Sequence, residues 1–304
     1  MSESPTGRRR GAVVDPLHPG RSREIRVPLE EPLELRADGR RLVRLLRTPG
    51  HDIELVHGYL LGAGLISGRD GVHSARYCEG TSISAETGCA ENSYNVISVA
   101  LSGNRLPAEV GPVPPSGAGR SFQRRGADAD RGMPPDKATV PAGAGFASSG
   151  TTQPGIADDV VAPVAIGEDA TIVEAALLRR IVAKLAQERV YLAASLTLPG
   201  ISTVRTDVHL EQAVDKAVGW AMLAGLLPLE GAALGVSGAP DVRVITHAVR
   251  AGVPIVVSTR LPSSAAVGMA AEHGVTVAVV QDAAPRPDVV VLTVPDRVEE
   301  GADE

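Results

Sequence analysis

The chain has 304 residues, of which 2% are aromatic, and a formal net charge of −6. A chain of this length can bury a sizeable core, while its negative charge and its lack of aromatic residues argue against a nucleic-acid partner held by charge or base stacking. No apolar run approaches the ~20 residues of a membrane span, and the basic N-terminus lacks a secretory apolar segment, so we expect a cytoplasmic protein whose two cysteines stay as thiols.

The first part of the chain divides into a tail and a small α+β unit. Residues 1–24 are rich in Arg, Pro and Gly without hydrophobic periodicity, which predicts a disordered tail. Residues 25–106 predict a smaller, β-rich N-terminal part. It opens with a hairpin over residues 33–45, because apolar positions alternate around an Asp38-Gly39 turn.

Three polar residues stand where the next helix is expected to begin, near His51 and Asp52. Acidic residues such as Asp52 and Glu54 are favoured at a helix start by the dipole, whatever the function. His51 and Asp52 contact a ligand only if their loop faces a binding site, which the sequence leaves open. A metal site is not expected, since His51 and His57 fall on different helical faces and no ligand cluster stands nearby.

The segment 107–164 differs sharply from its surroundings. Gly, Pro, Ala and Ser dominate, with scattered charges and no amphipathic rhythm. A structureless loop of this length inside a compact domain is unusual. We therefore predict a mobile insert.

The segment 165–296 predicts a three-layer α/β/α domain. Beyond Asp207, a long amphipathic helix leads into short apolar strands, each followed by a small-residue loop and another helix. Such strands predict a sheet covered on both faces, with largely parallel strands. Helices are expected at 172–188 and 212–224, strands at 190–198, 232–236, 255–257, 275–280 and 289–294, and a solvated acidic tail at 297–304.

Two loops of this domain form a candidate binding shelf. Ser237-Gly238 follows one buried strand, and Ser263-Ser264 follows the next. Because ligands gather beyond the carboxyl ends of parallel strands, where helix N-termini offer free N–H groups, we expect these loops to be neighbours. They would cradle phosphate or another anion, or they would simply cap the helices.

Short motifs along the whole chain resemble the formate dehydrogenase accessory proteins of the FdhD type. They lie at residues 30–35, 48–55, 76–78, 94–96, 205–220, 236–238 and 261–267. The resemblance implies a sulfurtransferase that carries sulfur from a cysteine desulfurase to the molybdenum cofactor of a formate dehydrogenase, and a C-terminal half similar to the cytidine deaminase fold. It implies those two enzymes as partners, bis-molybdopterin guanine dinucleotide as cofactor, a possible homodimer and no directly bound metal.

The resemblance also implies which residues hold the cofactor. They are Asp207, Ser237, Gly238, Ser263, Ser264 and Gln281. At the helix entry this chain departs from the family, because Leu210 and Glu211 stand where the family has an arginine and a histidine. Glu211 would repel a phosphate.

The sulfur-carrying pair of the family is missing. FdhD-type proteins have a Cys-x-x-Cys pair after two serines, and with Ser148-Ser149 in register, Gly150 and Gln153 stand at the cysteine positions. Persulfide transfer needs a thiolate. The persulfide candidates are Cys78, at a predicted strand end, and Cys89, in a polar loop. The alternative interpretation is that Cys78 has a structural role and that Cys89 is a surface thiol without function.

Two functions remain open. The first is a sulfur carrier of molybdenum cofactor biosynthesis with impaired or lost persulfide chemistry. The alternative is a non-catalytic paralogue that binds the cofactor or a partner. A zinc deaminase is not expected because the His-x-Glu and Pro-Cys-x-x-Cys ligand set is absent, and a nicotinamide dehydrogenase is disfavoured because the glycines at 62–64 end a helix instead of following a strand.

Overall fold

The structure is a computed structural model that describes residues 6–12, 22–78, 82–83, 90–91, 95–103, 166–167, 171–281 and 287–301. These ranges contain both helices and strands, and the strands form several β-sheets, so the predicted α/β class is confirmed. The predicted insert at 107–164 lies outside the described residues. Among the helices of the described ranges, none combines the length and hydrophobicity needed to cross a membrane.

The elements are numbered in chain order. The strands are β1 (Thr6–Ala12), β2 (Ser22–Pro28), β3 (Glu31–Ala37), β4 (Arg40–Arg47), β5 (Val72–Tyr77), β6 (Ser82–Ile83), β7 (Ala90–Glu91), β8 (Val96–Leu101), β9 (Val173–Glu174), β10 (Leu192–Leu198), β11 (Ile201–Asp207), β12 (Ala233–Val236), β13 (Ile255–Ser258), β14 (Thr276–Gln281), β15 (Asp288–Val291) and β16 (Val298–Glu299). The helices are α1 (Asp52–Gly62), α2 (Ala175–Leu185), α3 (Leu210–Leu223), α4 (Val242–Ala251) and α5 (Ser264–Glu272).

The N-terminal sheet has the strand order β4-β3-β8-β5 and contains the predicted hairpin. Ala37 pairs with Arg40 across Asp38 and Gly39, whose φ angles are 49° and 79°. A two-residue hairpin turn that matches strand twist needs positive φ at both positions, and Asp-Gly adopts it readily. The predicted hairpin is confirmed.

The prediction of a disordered tail at 1–24 is wrong for residues 6–12 and 22–24, which belong to a two-stranded ribbon. Residues 6–12 form β1, which pairs antiparallel with β2 from Thr6 opposite Pro28 to Ala12 opposite Ser22. The sequence showed no periodicity here because the side chains of β2 are mostly exposed on both faces of the ribbon. Hydrophobic alternation marks a strand only where one face is buried.

The central sheet has the order β11-β10-β12-β13-β14-β15 and is mixed, which corrects the prediction of largely parallel strands. Two strand pairs, β12 with β13 and β13 with β14, are parallel, whereas β10 runs antiparallel to both its neighbours and β15 runs antiparallel to β14. The turn at Pro199-Gly200 is too short for a parallel crossover. Strands buried on both faces are apolar in either direction, so hydrophobicity alone did not reveal orientation.

Helices cover both faces of the central sheet, as the predicted three layers require. Side chains of α2 pack with Ala193, Ile255 and Val257 on one face. Alternate residues such as Ala194 and Val256 belong to the second cluster, which contains α3, α4, α5 and α1. The likeness of this half to the cytidine deaminase fold stays a prediction.

Two element ends differ from the prediction. The helix expected at 172–188 is shorter, because Val173 and Glu174 form β9 and pair in parallel with Val298 and Glu299. The acidic tail predicted at 297–304 is corrected for Val298 and Glu299, which form β16, and residues 302–304 lie outside the described residues. Arg297 is buried, and its guanidinium donates to the carbonyl oxygens of Gly167 and Gly274, which holds this end against the domain.

Helices α1 and α3 touch through their backbones at two glycines. A Cβ added at Gly58 would overlap the carbonyl group of Asp215, and one added at Gly219 would overlap the carbonyl group of Glu54. Leu55 and Leu60 of α1 share one buried cluster with Val214 of α3. The N-terminal part and the α/β domain are therefore joined in a single core.

We predict that Gly219→Ala destabilises the fold by about 1–3 kcal/mol or more, because overpacking this contact forces the helices apart. Urea unfolding measures the change. Gly268→Ala is the matched control, since Gly268 lies in α5 with no atom within 4 Å of the added Cβ. It should stabilise the protein by about 0.5–1 kcal/mol through helix propensity, and equal effects at both glycines would contradict the prediction.

Candidate functional site

Four strands of the central sheet end at one edge, which we call the carboxyl edge (residues 207–210, 237–241, 259–264 and 281). β11, β12, β13 and β14 all run in the same direction, because β10 is antiparallel to both β11 and β12. Helices α3, α4 and α5 begin just beyond β11, β12 and β13. All six residues predicted to hold the cofactor belong to this edge.

The Ser237-Gly238 loop is fixed to the neighbouring strand. The Ser237 hydroxyl accepts a hydrogen bond from the Ala193 N–H at 2.8 Å, and the Ser237 N–H donates to the Ala193 carbonyl at 2.9 Å. Gly238 is buried, and an added Cβ would stand 3.0 Å from Leu210 Cδ2. The loop is therefore rigid, and the start of α3 lies directly against it.

The second predicted loop lies beside the first. The Ser263 N–H donates to the Pro240 carbonyl at 3.0 Å, and Thr259 Oγ1 donates to the Ser237 carbonyl at 2.7 Å. The predicted neighbourhood of the two loops is confirmed. Ser263 also caps α5 by accepting from the Ala266 N–H at 3.1 Å, while an accepting hydroxyl keeps its own hydrogen to donate.

Four residues of this edge present exposed polar or charged side chains. Ser263 and Ser264 are exposed, and so is Gln281 at the end of β14. Arg260, on the same loop as the serines, is exposed as well. Sequence reasoning overlooked Arg260, although a cation directly after a buried strand is a usable indication of an anion site.

Asp207 differs from the other predicted residues because its side chain is fully buried. Its carboxylate contacts Lys216 Nζ at 2.7 Å and accepts from the backbone N–H groups of Thr48 at 3.0 Å and His209 at 3.2 Å. Burial raises the pKa of Asp207, and Lys216 opposes that rise. The carboxylate faces the interior, so Asp207 positions the start of α3.

Asp52 and Glu54 at the start of α1 are engaged in ion pairs. Asp52 accepts two hydrogen bonds from Arg47, at 3.0 and 2.8 Å, and one from the Tyr77 hydroxyl at 3.1 Å. Glu54 binds Arg205 through both oxygens, at 2.5 and 2.8 Å. Both acidic residues lie in the first turn of α1, as the dipole favours, and neither makes a side-chain cap. Burial, followed by the charge of Asp52, raises the pKa of Tyr77 to about 12.

His51 precedes α1 in a left-handed conformation, with φ of 58°. Its Nδ1 lies 3.1 Å from Glu54 Oε2, and its side chain is about half exposed. The pairing uses Glu54, which already binds Arg205. His51 therefore interacts with the ion pairs at the start of α1, and whether it contacts a ligand, which the sequence left open, is not tested by this contact.

The start of α3 carries charges of both signs. His209 Nε2 lies 2.8 Å from Glu30, and Glu211 contacts Arg243 at 2.6 Å. Burial raises the pKa of Glu211, which Arg243 opposes. The charge of Arg243 on α4 therefore offsets part of the charge of Glu211. This reduces the repulsion between Glu211 and a phosphate that the sequence predicts.

Of the two thiol candidates, Cys78 belongs to the described residues and lies outside the carboxyl edge. Cys78 directly follows β5 in the N-terminal sheet, is partly exposed and donates its backbone N–H to Val96. Cys89 and residues 148–153 lie outside the described residues. Within the described ranges, no group of three or more His, Cys, Asp or Glu side chains could hold a metal ion.

A second buried ion pair joins α3 to α4. His247 Nε2 lies 2.6 Å from Asp215 Oδ1, beneath Gly62 of α1. The contact satisfies the distance of an ion pair but not the angles of a hydrogen bond, so its attraction is mainly coulombic. Burial works to lower the pKa of His247, but Asp215 and the Arg243 carbonyl together raise it above the ordinary value.

Comparison with known proteins gives consistent matches over most of the chain. A sequence model of the FdhD/NarQ family matches residues 28–108 and 168–299. A sulfur carrier protein FdhD of Nocardia farcinica is 34% identical over 279 residues, which span 91% of this chain and 90% of that protein. The corresponding protein of Mycolicibacterium paratuberculosis is 33% identical over 260 residues, 82% of this chain and 84% of that protein.

The fold is also found in a crystal structure from Desulfotalea psychrophila, assigned as a formate dehydrogenase accessory protein. The two structures superpose with a TM-score of 0.62 over 97% of this chain and 99% of the other. Their sequences are 17% identical. The likeness therefore concerns the fold alone.

We predict that Lys216→Met costs about 3–5 kcal/mol of stability, because it leaves the buried Asp207 carboxylate without its cation. Urea unfolding measures the loss. The control is Lys184→Met on the exposed face of α2, which should change stability by less than about 0.5 kcal/mol. A loss below about 1 kcal/mol at Lys216 would show that the pair does not hold the edge together.

A pH dependence follows from His247. Its folded pKa is raised, so the Asp215 pair should stabilise the protein below the ordinary histidine pKa of about 6.5 and lose that effect as pH rises through the raised value. His247→Gln should thus cost more stability at pH of about 6 than at pH of about 9, by urea unfolding.

His57→Gln provides the control of opposite sign. Burial lowers the pKa of His57, so this residue makes the fold less stable as pH falls below about 6.5. Its replacement should therefore cost less at the acid end of the range than at the alkaline end. The same pH trend in both variants would contradict the assignment.

Proposed function

This chain belongs to the FdhD/NarQ family, and from that premise we propose that it serves sulfuration of the molybdenum cofactor of a formate dehydrogenase as an FdhD-type sulfur carrier whose persulfide chemistry is impaired or lost. The observation that carries the proposal is similarity along 91% of the chain to a protein named a sulfur carrier. The partners in this proposal are a cysteine desulfurase and a formate dehydrogenase, and a homodimer is compatible with it.

The chemistry of sulfur carriage explains why the activity would be reduced. A carrier thiolate attacks the outer sulfur of the desulfurase persulfide, a new S–S bond forms, and the desulfurase cysteine leaves as a thiolate. Only Cys78 and Cys89 could supply that thiolate, because the sequence contains no other cysteine. Glycine and glutamine, at positions 150 and 153, cannot hold sulfur in this way.

The donors at the carboxyl edge are suited to an anionic group such as the diphosphate of a guanine dinucleotide cofactor. Ser263 and Ser264 present exposed side chains at the start of α5, and Arg260 stands on the same loop. The buried Gly238 holds the neighbouring loop against Leu210. In the proposal these groups bind and orient the cofactor, which itself supplies the molybdenum centre to be sulfurated, while the Ser237 hydroxyl stiffens the loop.

The alternative is a non-catalytic paralogue that binds the cofactor or a partner without carrying sulfur. It is favoured by one observation, the absence of the cysteine pair from positions 150 and 153. The two candidates share the scaffold and the edge. They differ only in whether this chain ever bears a persulfide.

We predict that restoring the pair by Gly150→Cys/Gln153→Cys allows sulfur loading that the natural chain performs weakly or not at all, because it supplies the missing thiolates. Each protein is incubated with a cysteine desulfurase and cysteine, and its intact mass is measured without reductant. The gain should equal one sulfur atom. Thr151→Cys/Thr152→Cys, which adds two thiols at the intervening positions, is the matched control.

The same measurement on the natural chain separates the candidates. A mass gain of one full sulfur atom that disappears with Cys78→Ser or Cys89→Ser would overturn the proposal that the persulfide chemistry is impaired. No gain, together with calorimetric binding of GDP, would favour the binding module. No gain even in the restored protein would contradict the assignment of positions 150 and 153.

A further inference from the structure

The ribbon of β1 and β2 is a strongly basic element of the described chain. Its two strands contain five arginines and one glutamate, so it carries a charge of +4 in a protein of net charge −6. Within the described residues, no third strand pairs with β1 or β2. The positive charge is therefore concentrated on a thin element with two open strand edges.

The arrangement of the arginines is unfavourable for the ribbon by itself. Arg8 stands directly opposite Arg26 across the two strands, and cross-strand partners point to the same face. Like charges in such a pair destabilise a sheet, and an isolated two-stranded ribbon is only marginally stable in water. Arg10, by contrast, stands opposite Glu24, which also lies 3.8 Å from Arg8, and the side chains of Arg8 and Glu24 are well exposed.

The ribbon is attached beside the carboxyl edge. Immediately after β2, the Leu29 N–H donates to the Tyr191 hydroxyl at 3.1 Å, and Tyr191 directly precedes β10. Glu30 then contacts His209, the residue before α3, at 2.8 Å. A molecule bound at the base of the ribbon would thus lie next to the predicted cofactor loops.

We propose that the β1–β2 ribbon is a docking surface for a carboxylate-rich segment of a partner protein. Arginine guanidinium groups bind carboxylates through two parallel hydrogen bonds, and the two open strand edges can pair with an extended segment. An added anionic segment would relieve the repulsion between Arg8 and Arg26. The partner's acidic segment would be held while its remaining surface faces the carboxyl edge.

The ribbon favours a protein partner over a nucleic acid. Ile25, paired with Arg9, is 40% exposed and offers apolar surface that a protein segment can bury. The chain is also poor in the aromatic residues on which bases stack.

This inference deepens the proposed function, because it names the surface that receives the partner. The docking proposal depends on the proposed function only for what the partner does. Its test measures peptide binding and does not measure sulfur loading. The two can therefore fail separately.

The test uses the full-length protein and a fluorescent peptide of alternating Glu and Leu. The natural protein should bind the peptide with an affinity that falls as salt rises. Arg8→Glu/Arg26→Glu should weaken binding by about tenfold or more at low salt. Arg180→Glu/Lys184→Glu on the exposed face of α2 makes the same change in net charge and should stay within about twofold.

A second variant distinguishes a loss of binding caused by the lost charge from one caused by misfolding of the ribbon. Arg8→Lys/Arg26→Lys keeps the charge and should bind within about threefold of the natural protein. A loss as large as that of the Glu variant would assign the effect to ribbon folding and overturn the proposal. Equal losses in the ribbon and α2 variants, or stronger ribbon-dependent binding of a single-stranded oligonucleotide than of the peptide, would overturn it as well.

Discussion

The buried pair of Asp207 and Lys216 is the contact on which the arrangement of the carboxyl edge depends. Asp207 ends β11, Lys216 lies in the helix that follows, and both bond to the backbone of Thr48 from the N-terminal part. One pair of opposite charges therefore fixes a strand end, a helix start and a loop more than 150 residues away in the sequence. Two buried charges are tolerated here because each also has backbone hydrogen bonds.

The close contact of α1 with α3 works together with that pair. Because glycines meet backbone at Gly58 and Gly219, the helices approach closely enough for Glu54 to reach Arg205 on the edge strand. The ion pair of Glu54 with Arg205 consequently joins the two parts of the chain.

The carboxyl edge and the missing cysteines give a consistent picture of the molecule. Helix starts, exposed serines and Arg260 remain at the edge, and they depend on backbone geometry that the core enforces. A carrier thiol depends on the identity of one or two loop residues, which can change without any effect on the core. The geometry of the carboxyl edge and the identity of residues 150 and 153 can therefore change independently of each other. The basic ribbon beside the edge is equally separable from the core, since its strands pair only with each other within the described residues.

The sequence by itself determined the α/β class, the Asp38-Gly39 hairpin, most element positions in the C-terminal half and the family, because these follow from local periodicity, turn chemistry and short motifs. It also placed Ser237 and Ser263 on neighbouring loops, since consecutive β-α units bring strand ends together. Only the tertiary structure decided that β10 and β15 run antiparallel, that residues 6–12 pair with β2, and that the Asp207 carboxylate contacts Lys216. The reason is physical: strand direction, strand pairing without a buried face, and ion pairs between distant residues depend on contacts across the fold, which leave no periodic trace in the local sequence.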